Sequence, residues 1–389
     1  MINKIAEKIS NDLVKIRREL HKIPELAFEE YKTCEFIENE LKKLNISYEK
    51  PINTGIIATL KGKKGNGKTL LIRADIDALP ILEENDLPYK SQNNGKMHAC
   101  GHDAHIASLL GVCRILKEIN YDFYGNIKIV FQPAEEADGG ALPMIEKGIM
   151  ESDPKVDGAV ALHVLPTYKT GEIVYKDGSM MASPDDFKII LKGKGGHGAM
   201  PELCKNPIYP AGVLVSRLKD IISENFSDPS ECVVTVCTIN AGTFYNIIPD
   251  SVEITGTARS LTNEVREKIE ELIEDYTKKV ANEFDLKYEY RFNKQYPPVI
   301  NDSKMNETLV KSANDIKEIK KIVKLEKAFM TGDDFAYFSK EVPGTYFMLG
   351  AGNDKINVPL HSTNFEIDEN CLHLGAAILS QFALNYLNE

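Results

Sequence analysis

The feature that most constrains the fold is an alternation of short apolar runs with a helical pattern between residues 54 and 135. The runs GIIATL, TLLIRADIDAL and NIKIVFQ are typical of buried strands, whereas HIASLLGVCRILKEI has the length and apolar spacing of a helix. This alternation predicts an α/β domain with a mostly parallel sheet flanked by helices. A further strand, VDGAVALHV, is predicted to end at His163. Catalytic groups usually lie at the carboxyl ends of such strands.

A second pattern follows, with the order β-α-β-β-α-β. Its strand candidates are FKIILKGKGG, ECVVTVCTI, VEITGTARSL and LKYEYRF, and its helix candidates lie near residues 207–224 and 264–284. This order is that of a ferredoxin-like α+β module. The proline-marked stretch QYPPVIND then leads into a tail that is too short for a core of its own. We therefore predict a first domain of residues 1–182 and 295–389, interrupted by an inserted domain of residues 183–294.

Length and composition narrow the functional classes. A chain of 389 residues exceeds the roughly 250–300 residues at which single cores stop growing, which favours two domains. The net charge of −11 argues against a nucleic-acid partner. No run approaches the ~18 consecutive apolar residues that cross a bilayer, and no secretion signal is recognisable. The 7 cysteines are scattered and lack a Cys-x-x-Cys pair, which favours a reducing cytoplasm over a disulfide framework.

The stretch MHACGHDAH concentrates side chains that bind metals. Cys100, His102, Asp103 and His105 offer a thiolate, imidazoles and a carboxylate. Thiolate and imidazole suit zinc, whereas carboxylates suit harder ions such as manganese. Taken alone, the stretch is compatible with a metal site or with a buried polar loop, because its spacing differs from that of the usual Cys-x-x-Cys hairpin.

Further candidate ligands lie far from this stretch in the sequence. FQPAEE places Glu135 and Glu136 after an apolar strand, where two adjacent carboxylates are costly to bury unless a cation or a proton neutralises them. The alternative for this pair is the protein surface. ALHV and VPLHST supply His163 and His361, and either of these could instead be a hydrogen-bonded core histidine.

RADIDALP adds two carboxylates after another strand candidate. Asp75 and Asp77 could orient histidine ligands, because carboxylates commonly accept a hydrogen bond from the second ring nitrogen of a metal-bound histidine. An ion pair between Arg73 and one of these carboxylates is the structural alternative.

Nine motifs, in this order and at these separations, carry a resemblance to a known family: HKIPELAFEE, RADIDALP, MHACGHDAH, FQPAEE, ALHV, GKGGHGAMP, NIIPD, MTGDDFAYF and LHSTNFEI. Together they resemble the amidohydrolase branch of the aminoacylase and carboxypeptidase metallopeptidase family. That branch includes hippurate hydrolases, indoleacetyl-amino-acid hydrolases and N-acetyldiaminopimelate deacetylases. The resemblance spans nearly the whole chain and implies a catalytic metal-binding domain with an inserted lid and dimerisation domain.

The resemblance also implies a site with two divalent metal ions per subunit. The ions would be zinc or manganese, with cobalt and nickel as alternatives. Glu135 matches the general base of the family, and Asp75 matches an aspartate that keeps the site in order from behind the ligands. The implied metal ligands are Cys100, His102, Glu136, His163 and His361.

Three residues of the inserted domain acquire roles by resemblance only. His197, in GKGGHGAMP, matches a lid histidine that stabilises the oxyanion, often from the neighbouring subunit of a dimer. Asn246 and Arg259 match residues that contact the carboxylate of the substrate. The alternatives are a surface histidine in a glycine-rich turn and, for the arginine, a surface ion pair on a strand. The resemblance therefore implies a homodimer or a higher homo-oligomer.

The predicted function is metal-dependent hydrolysis of the amide bond of N-acyl amino acids, small-molecule substrates that yield a carboxylic acid and a free amino acid. A metal-activated water and Glu135 would carry the reaction. A dipeptidase or carboxypeptidase of the same family is the main alternative. A hydrolase with Cys100 as nucleophile and a binding protein with a structural metal site are the alternatives from other classes. The acyl group, the amino acid and the partition of ligands between the ions stay open at this point.

Overall fold

The structure, a computed structural model of the protein, describes residues 1–137 and 139–388 and divides the chain into two compact units. The first unit comprises Met1–Gly178, Ile300–Glu326 and Asp334–Glu389. The second unit comprises Ser179–Val299 and Lys327–Asp333. Residues 179–182, 295–299 and 327–333 were predicted to belong with the first domain, but they fall in the second unit. The backbone N–H of Ala182 donates to the carbonyl oxygens of Phe329 and Thr331 at 3.1 and 2.9 Å, which joins the first and last of these stretches.

Helices and strands alternate along both units. The helices are α1 (Ile2–His21), α2 (Tyr31–Lys43), α3 (His102–Glu118), α4 (Ala141–Glu146), α5 (Ile208–Asn225), α6 (Asn263–Glu283), α7 (Ser303–Asn314), α8 (Ala336–Glu341) and α9 (Cys371–Leu387). The strands are β1 (Ile56–Lys61), β2 (Thr69–Asp75), β3 (Asn126–Gln132), β4 (Gly158–Lys169), β5 (Glu172–Tyr175), β6 (Gly178–Met181), β7 (Ser183–Lys192), β8 (Gly196–His197), β9 (Cys232–Ala241), β10 (Ile247–Ile248), β11 (Ser251–Ser260), β12 (Lys287–Asn293), β13 (Val299–Asn301), β14 (Lys321–Lys324) and β15 (Gly344–Gly352). No helix among the described residues is long and apolar enough to span a bilayer.

The first unit is built on a seven-stranded sheet with the strand order β1-β3-β2-β4-β15-β5-β14. Strands β3, β2, β4 and β15 pair in parallel, and β5 pairs in parallel with β14. The edge strand β1 runs antiparallel to β3, although the sequence pattern predicted a parallel strand there. The reason is the short link of residues 62–68 between β1 and β2, because a parallel crossover needs about a dozen residues. The sheet is therefore mixed, with a parallel centre.

The core of the first unit lies where helices cover the central strands. All residues of β2 and β15 are buried, as both faces of a central parallel strand require. Helices α3 and α9 pack closely because Gly111 has no side chain: a Cβ there would lie 2.6 Å from the Cβ of Ala376. Leu110 beside it is fully buried, so replacing it with Ala would cost about 2–5 kcal/mol of stability. This packing gives α3 a rigid base.

The carboxyl ends of the parallel strands meet at one edge of this sheet. Asp75 at the end of β2 lies in register with Gln132 at the end of β3. Strands β2 and β4 stay paired only as far as Arg73 and Ala161, although β4 continues beyond that point. The prediction that the strand ends at His163 was therefore wrong. His163 nevertheless lies just past the last residues at which β4 pairs with β2, and it stays paired with Met348 of β15 on its other side.

The second unit contains a four-stranded antiparallel sheet with the strand order β12-β7-β11-β9 and the helices α5 and α6. Helix α6 begins where Thr262 caps it, accepting the N–H of Val265 at 3.2 Å. A buried ion pair joins helix and sheet: Nε of Arg266 donates to Oδ2 of Asp185 at 2.8 Å. A separate two-stranded ribbon pairs β8 with β10. Along the chain the elements follow the order of the ferredoxin-like motif.

Candidate metal centre

The centre of the candidate site is the turn that leads into α3. Gly101 stands at the start of the helix with φ of 92°, and a Cβ there would lie 2.4 Å from Cγ2 of Val164. Only glycine fits both the conformation and the space. The turn therefore presents Cys100 just before the helix and His102 in its first turn, and both side chains are buried.

The orientation of the His102 ring is fixed by Asp77. Its Nδ1 lies 2.9 Å from the carbonyl oxygen and 3.2 Å from Oδ1 of Asp77, so Nδ1 carries the proton and donates. Its Nε2 is then the ring nitrogen left for a ligand, and this buried atom has no hydrogen-bond partner among the described residues. An orphaned, desolvated imidazole nitrogen is what a metal ligand looks like without its metal.

The other two predicted histidine ligands also direct Nε2 towards Cys100. His163 donates from Nδ1 to the carbonyl of Val164 at 2.7 Å, and its Nε2 lies 3.3 Å from Sγ of Cys100. His361 has φ of 62°, and its backbone N–H donates to Ala99 at 2.9 Å. Nε2 of His361 lies 3.4 Å from the same sulfur, and its side chain is half exposed. Three rings from distant parts of the chain thus present the same nitrogen to one point.

The two adjacent glutamates follow β3 on a strained turn. Ala134 has φ of 58°, a left-handed conformation that costs a residue with a Cβ about 1–2 kcal/mol. Its N–H donates to Oε1 of the buried Glu30 at 2.9 Å, and the N–H of Glu136 donates to Oδ2 of Asp77 at 2.9 Å. Glu135 lies between these two anchored amides and is buried.

The potential ligand atoms form overlapping groups. Cys100, His102 and His163 each offer one atom, and these atoms lie within 4.8 Å of one another. Cys100, Glu136 and His361 form a second group within the same limit. The sulfur of Cys100 belongs to both groups. The structure therefore brings all five predicted metal ligands together and places the thiol between two sets of nitrogen and oxygen atoms.

The ionisation of this cluster is unfavourable without a cation. Burial and the carboxylates of Glu136 and Glu135 raise the pKa of the Cys100 thiol well above its usual range. Burial alone would lower the pKa of His102, but Asp75 and Asp77 raise it to about 10. Burial would raise the pKa of Glu136, but His361 and His102 lower it to about 2. A divalent cation would offset the raised pKa values of Cys100 and His102, because it favours a thiolate and neutral imidazoles. The residues present fit a metal centre.

Asp75 supports the cluster through two buried partners. Its Oδ2 accepts from Nη1 of Arg73 at 2.7 Å, and its Oδ1 lies 2.5 Å from Nδ1 of His105. Burial opposes ionisation of Asp75, but His102, His105 and Arg73 hold its pKa well below the usual value. The ion pair with Arg73 that the sequence left as an alternative is therefore present. It coexists with the position of Asp75 beside the ligands, 3.8 Å from Nε2 of His102.

His105 is among the candidate ligands of the MHACGHDAH stretch, but both of its nitrogens are engaged elsewhere. Nδ1 faces Asp75, and Nε2 accepts the backbone N–H of Val164 at 2.9 Å. His105 thus links the position of Asp75 to the backbone beside His163. A spacing of three residues places His105 on the same face of α3 as His102, so its partners and not its spacing distinguish it from the ligands.

Sequence analysis missed a buried ionic cluster behind the turn. Oδ2 of Asp103 forms a buried ion pair with Arg17, at 2.8 Å from its Nε, and lies 2.7 Å from Nδ1 of His21. Burial opposes ionisation of Asp103, but Arg17 and His21 depress its pKa far below the ordinary value. Because Asp103 follows His102 directly, this cluster ties the first turn of α3 to α1. The regular spacing of Arg17 and His21 on one face of α1 was the available signal.

The predicted residues of the second unit are placed differently. His197 is exposed, and its Nδ1 accepts the N–H of Ala199 at 3.1 Å, which leaves the ring proton on Nε2. Asn246, just before β10, is exposed, and its backbone carbonyl oxygen accepts the N–H of Gly198 at 2.8 Å. Arg259 is half-buried and donates to the carbonyl oxygens of Asp185 at 3.2 Å and Ala258 at 2.9 Å. No surface ion pair is needed to explain the position of Arg259.

Comparison with known proteins finds relatives along the whole chain. Residues 71–385 match the model of a family described as peptidase family M20/M25/M40. Thermostable carboxypeptidase 1 of Saccharolobus solfataricus is 36% identical, over 99% of this chain and 100% of that protein. N-acetyl-L-cysteine deacetylase of Bacillus subtilis is 36% identical, over 98% of this chain and 89% of that protein.

A solved structure supports the same relationship. The YxeP protein of Bacillus subtilis, a dinuclear metal-binding peptidase from the M20 family, superposes with a TM-score of 0.85 and is 31% identical. The match covers 98% of this chain and 99% of that chain.

Proposed function

The chain belongs to peptidase family M20/M25/M40, and from this premise we propose that it hydrolyses the amide bond of N-acyl amino acids at a centre of two divalent metal ions. Membership confirms the family resemblance of the sequence motifs and makes the protein a metal-dependent amidohydrolase. The observation that carries the proposal is that three Nε2 atoms, one thiol and one carboxylate form two ligand groups that share Cys100.

The ligand groups of the structure support a specific partition. One ion would be held by Cys100, His102 and His163, and the other by Cys100, Glu136 and His361. Cys100 belongs to both groups. Three ligands for each ion leave positions open for a water and for the substrate, as catalytic metal sites require. The mixed set of sulfur, nitrogen and oxygen donors suits zinc, with manganese, cobalt and nickel as alternatives.

When bound, the ions would supply Lewis acidity that polarises the substrate carbonyl and lowers the pKa of a water. The chain itself supplies the proton transfers. The carboxylate of Glu135 lies within 4.8 Å of ligand atoms of His102 and Glu136, which supports its role as general base. It would take the proton of the attacking water and deliver it to the leaving amide nitrogen. Asp75 would keep His102 and His105 oriented while staying ionised itself.

The second unit would serve as a lid and dimerisation domain. Its His197 presents Nε2–H, which supports donation to the oxyanion of the tetrahedral intermediate, from its own chain or from the neighbouring subunit of a homodimer or higher oligomer. Asn246 and Arg259 would contact the carboxylate of the substrate. For Arg259 this requires that its present hydrogen bonds to backbone carbonyls be exchanged for bonds to the substrate. The planar guanidinium can bind a carboxylate through two parallel hydrogen bonds. We propose a cytoplasmic location, consistent with free cysteines throughout the described residues.

Two alternatives differ in their support. A carboxypeptidase or dipeptidase is favoured by the identity to a thermostable carboxypeptidase, because the same water and base serve both reactions. A hydrolase with Cys100 as nucleophile is disfavoured, because burial and two carboxylates raise the pKa of its thiol and so disfavour the nucleophilic thiolate.

The experiment that tests the proposal is an activity screen of the purified protein loaded with zinc, manganese, cobalt or nickel. The panel contains N-acetyl, N-benzoyl and indoleacetyl amino acids beside dipeptides. We expect cleavage of acylated amino acids, loss of activity with a chelator and recovery with added metal. Cleavage of dipeptides alone would establish the peptidase alternative. Activity that survives complete chelation would refute the metal-dependent mechanism.

A further inference from the structure

The turn of residues 133–136 after β3 carries the proposed base, and its backbone has a conformation that its residues do not favour by themselves. Ala134 has φ of 58°, in the left-handed region that a residue with a Cβ rarely adopts. The next residue is Glu135, and the direction of its carboxylate depends on the backbone at Ala134. Something outside the segment must therefore hold this turn in place.

Two buried carboxylates anchor the amides on either side of Glu135. Oε1 of Glu30 accepts the N–H of Ala134 at 2.9 Å, and Oδ2 of Asp77 accepts the N–H of Glu136 at 2.9 Å. Both bonds have the length of well-formed hydrogen bonds from a backbone N–H. Glu135 is thus clamped at both of its neighbours.

The two anchors differ in what else they hold. Asp77 also accepts a hydrogen bond from Nδ1 of His102, so replacing Asp77 would directly disturb a proposed metal ligand. The bond of Glu30 goes to the amide of Ala134, which precedes the base and not a ligand. Glu30 lies at the start of α2 and is fully buried, so the helix fixes the position of its carboxyl group. The contribution of Glu30 is therefore separable from metal binding.

We propose that Glu30 is a positioning residue for the reaction, which holds the Ala134 amide and thereby fixes the direction in which Glu135 presents its carboxylate. This inference rests on the proposed role of Glu135 as general base. Its sequence position, 104 residues before its partner, explains why no local pattern reveals it.

The test compares four variants of the full-length, metal-loaded protein: Glu30→Ala, Glu30→Gln, Ala134→Gly and the double variant Glu30→Ala/Ala134→Gly. Glu29→Gln is the matched control, because Glu29 is the adjacent residue with an exposed side chain. The measurements are kcat and KM with an N-acyl amino acid, the metal content, and hydrogen exchange of the peptide that contains Ala134.

We expect Glu30→Ala to lower kcat by about 10²-fold, the size of effect that an ångström-scale misplacement produces, with KM and metal content nearly unchanged. Glu30→Gln keeps a side-chain oxygen for the amide and should restore most of kcat. Glycine adopts the left-handed conformation freely, so Glu30→Ala should cost less in the Ala134→Gly background. Exchange should become faster in Glu30→Ala and stay slow in Glu29→Gln.

Three results would overturn the inference: an unchanged kcat in Glu30→Ala, loss of metal together with activity, or an equal loss with and without Ala134→Gly. If the wild-type protein cleaves no member of the substrate panel, the proposed function fails. The exchange measurement still decides the anchor in that case, because unchanged exchange in Glu30→Ala would refute it and faster exchange would support it.

Discussion

The two units carry their predicted functional residues in opposite ways. In the first unit, Cys100 and His102 are buried. The rings of His102 and His163 are each oriented by a hydrogen bond from Nδ1, and Nε2 of His361 points towards Cys100. In the second unit, His197 and Asn246 are exposed, and Arg259 is engaged with backbone carbonyls. The proposed roles of the first set depend on divalent cations, and those of the second set depend on a bound substrate.

The largest effect is expected where the buried set performs chemistry. Replacing Glu135 with Gln removes the group that accepts the proton and should lower kcat by about 10²–10⁴-fold with the metal content unchanged. Replacing its neighbour Glu136 with Gln should instead lower the metal content, because Glu136 supplies a ligand oxygen. Steady-state kinetics with elemental analysis measures both. Equal metal loss in the two variants would show that their roles are not distinct.

The exposed set is tested next by His197→Ala. If Nε2–H stabilises the oxyanion, kcat should fall by about 10²–10³-fold, the cost of removing one such donor. Thermal unfolding should not change, because the side chain is exposed. Lys194→Ala, at another exposed position before the same ribbon, is the matched control. A kcat equal to that of the control would remove His197 from the mechanism.

A smaller effect is expected for Arg259→Met. Loss of hydrogen bonds to a charged carboxylate should raise KM about tenfold or more for N-acyl amino acids, but not for the corresponding amino-acid amides. Arg266→Met provides the contrast, because it leaves the buried Asp185 unpaired and should cost about 3–5 kcal/mol of stability. An equal rise of KM for acids and amides would assign Arg259 to structure alone.

The smallest effect concerns pH and the buried Glu30. Burial raises the pKa of Glu30 from about 4.5 to about 7. The folded state therefore binds a proton more tightly than the unfolded state, so this contribution to stability is present below pH 4.5 and is lost as pH rises through 7. The stability of metal-free wild type relative to Glu30→Gln should fall across that window. A difference that does not vary with pH would contradict the raised pKa.

The structure brings the predicted ligand residues together for a physical reason. Parallel strands share one edge, so Asp75 at the end of β2, the glutamates after β3, and His163, past the last residues at which β4 pairs with β2, lie near one another whatever their separation in the chain. The antiparallel direction of β1 follows from the short link of residues 62–68 to β2. The pattern of apolar residues alone does not indicate strand direction.

The supporting contacts could not be predicted in the same way. Glu30 and Ala134 join the start of α2 to a turn, and Arg17 and Asp103 join α1 to the first turn of α3, in each case between residues that lie far apart in the sequence. Nothing in a local pattern selects the partner of a buried charge, because the pairing follows from how the helices pack on the sheet. The proposed role of His197 has no local signal either, because its side chain is exposed and its ring contacts only the backbone of Ala199 among the hydrogen bonds of the described residues.

The central proposal is that the two ligand groups, which both contain Cys100, would hold two divalent cations. The most direct measurement is the metal content of the loaded protein combined with X-ray absorption at the metal edge, for wild type and Cys100→Ala. The account predicts two ions per chain, sulfur in the coordination shell of the metal, and loss of that sulfur signal together with weaker binding of both ions in the variant. A single ion per chain, or a shell of nitrogen and oxygen alone in the wild type, would contradict it.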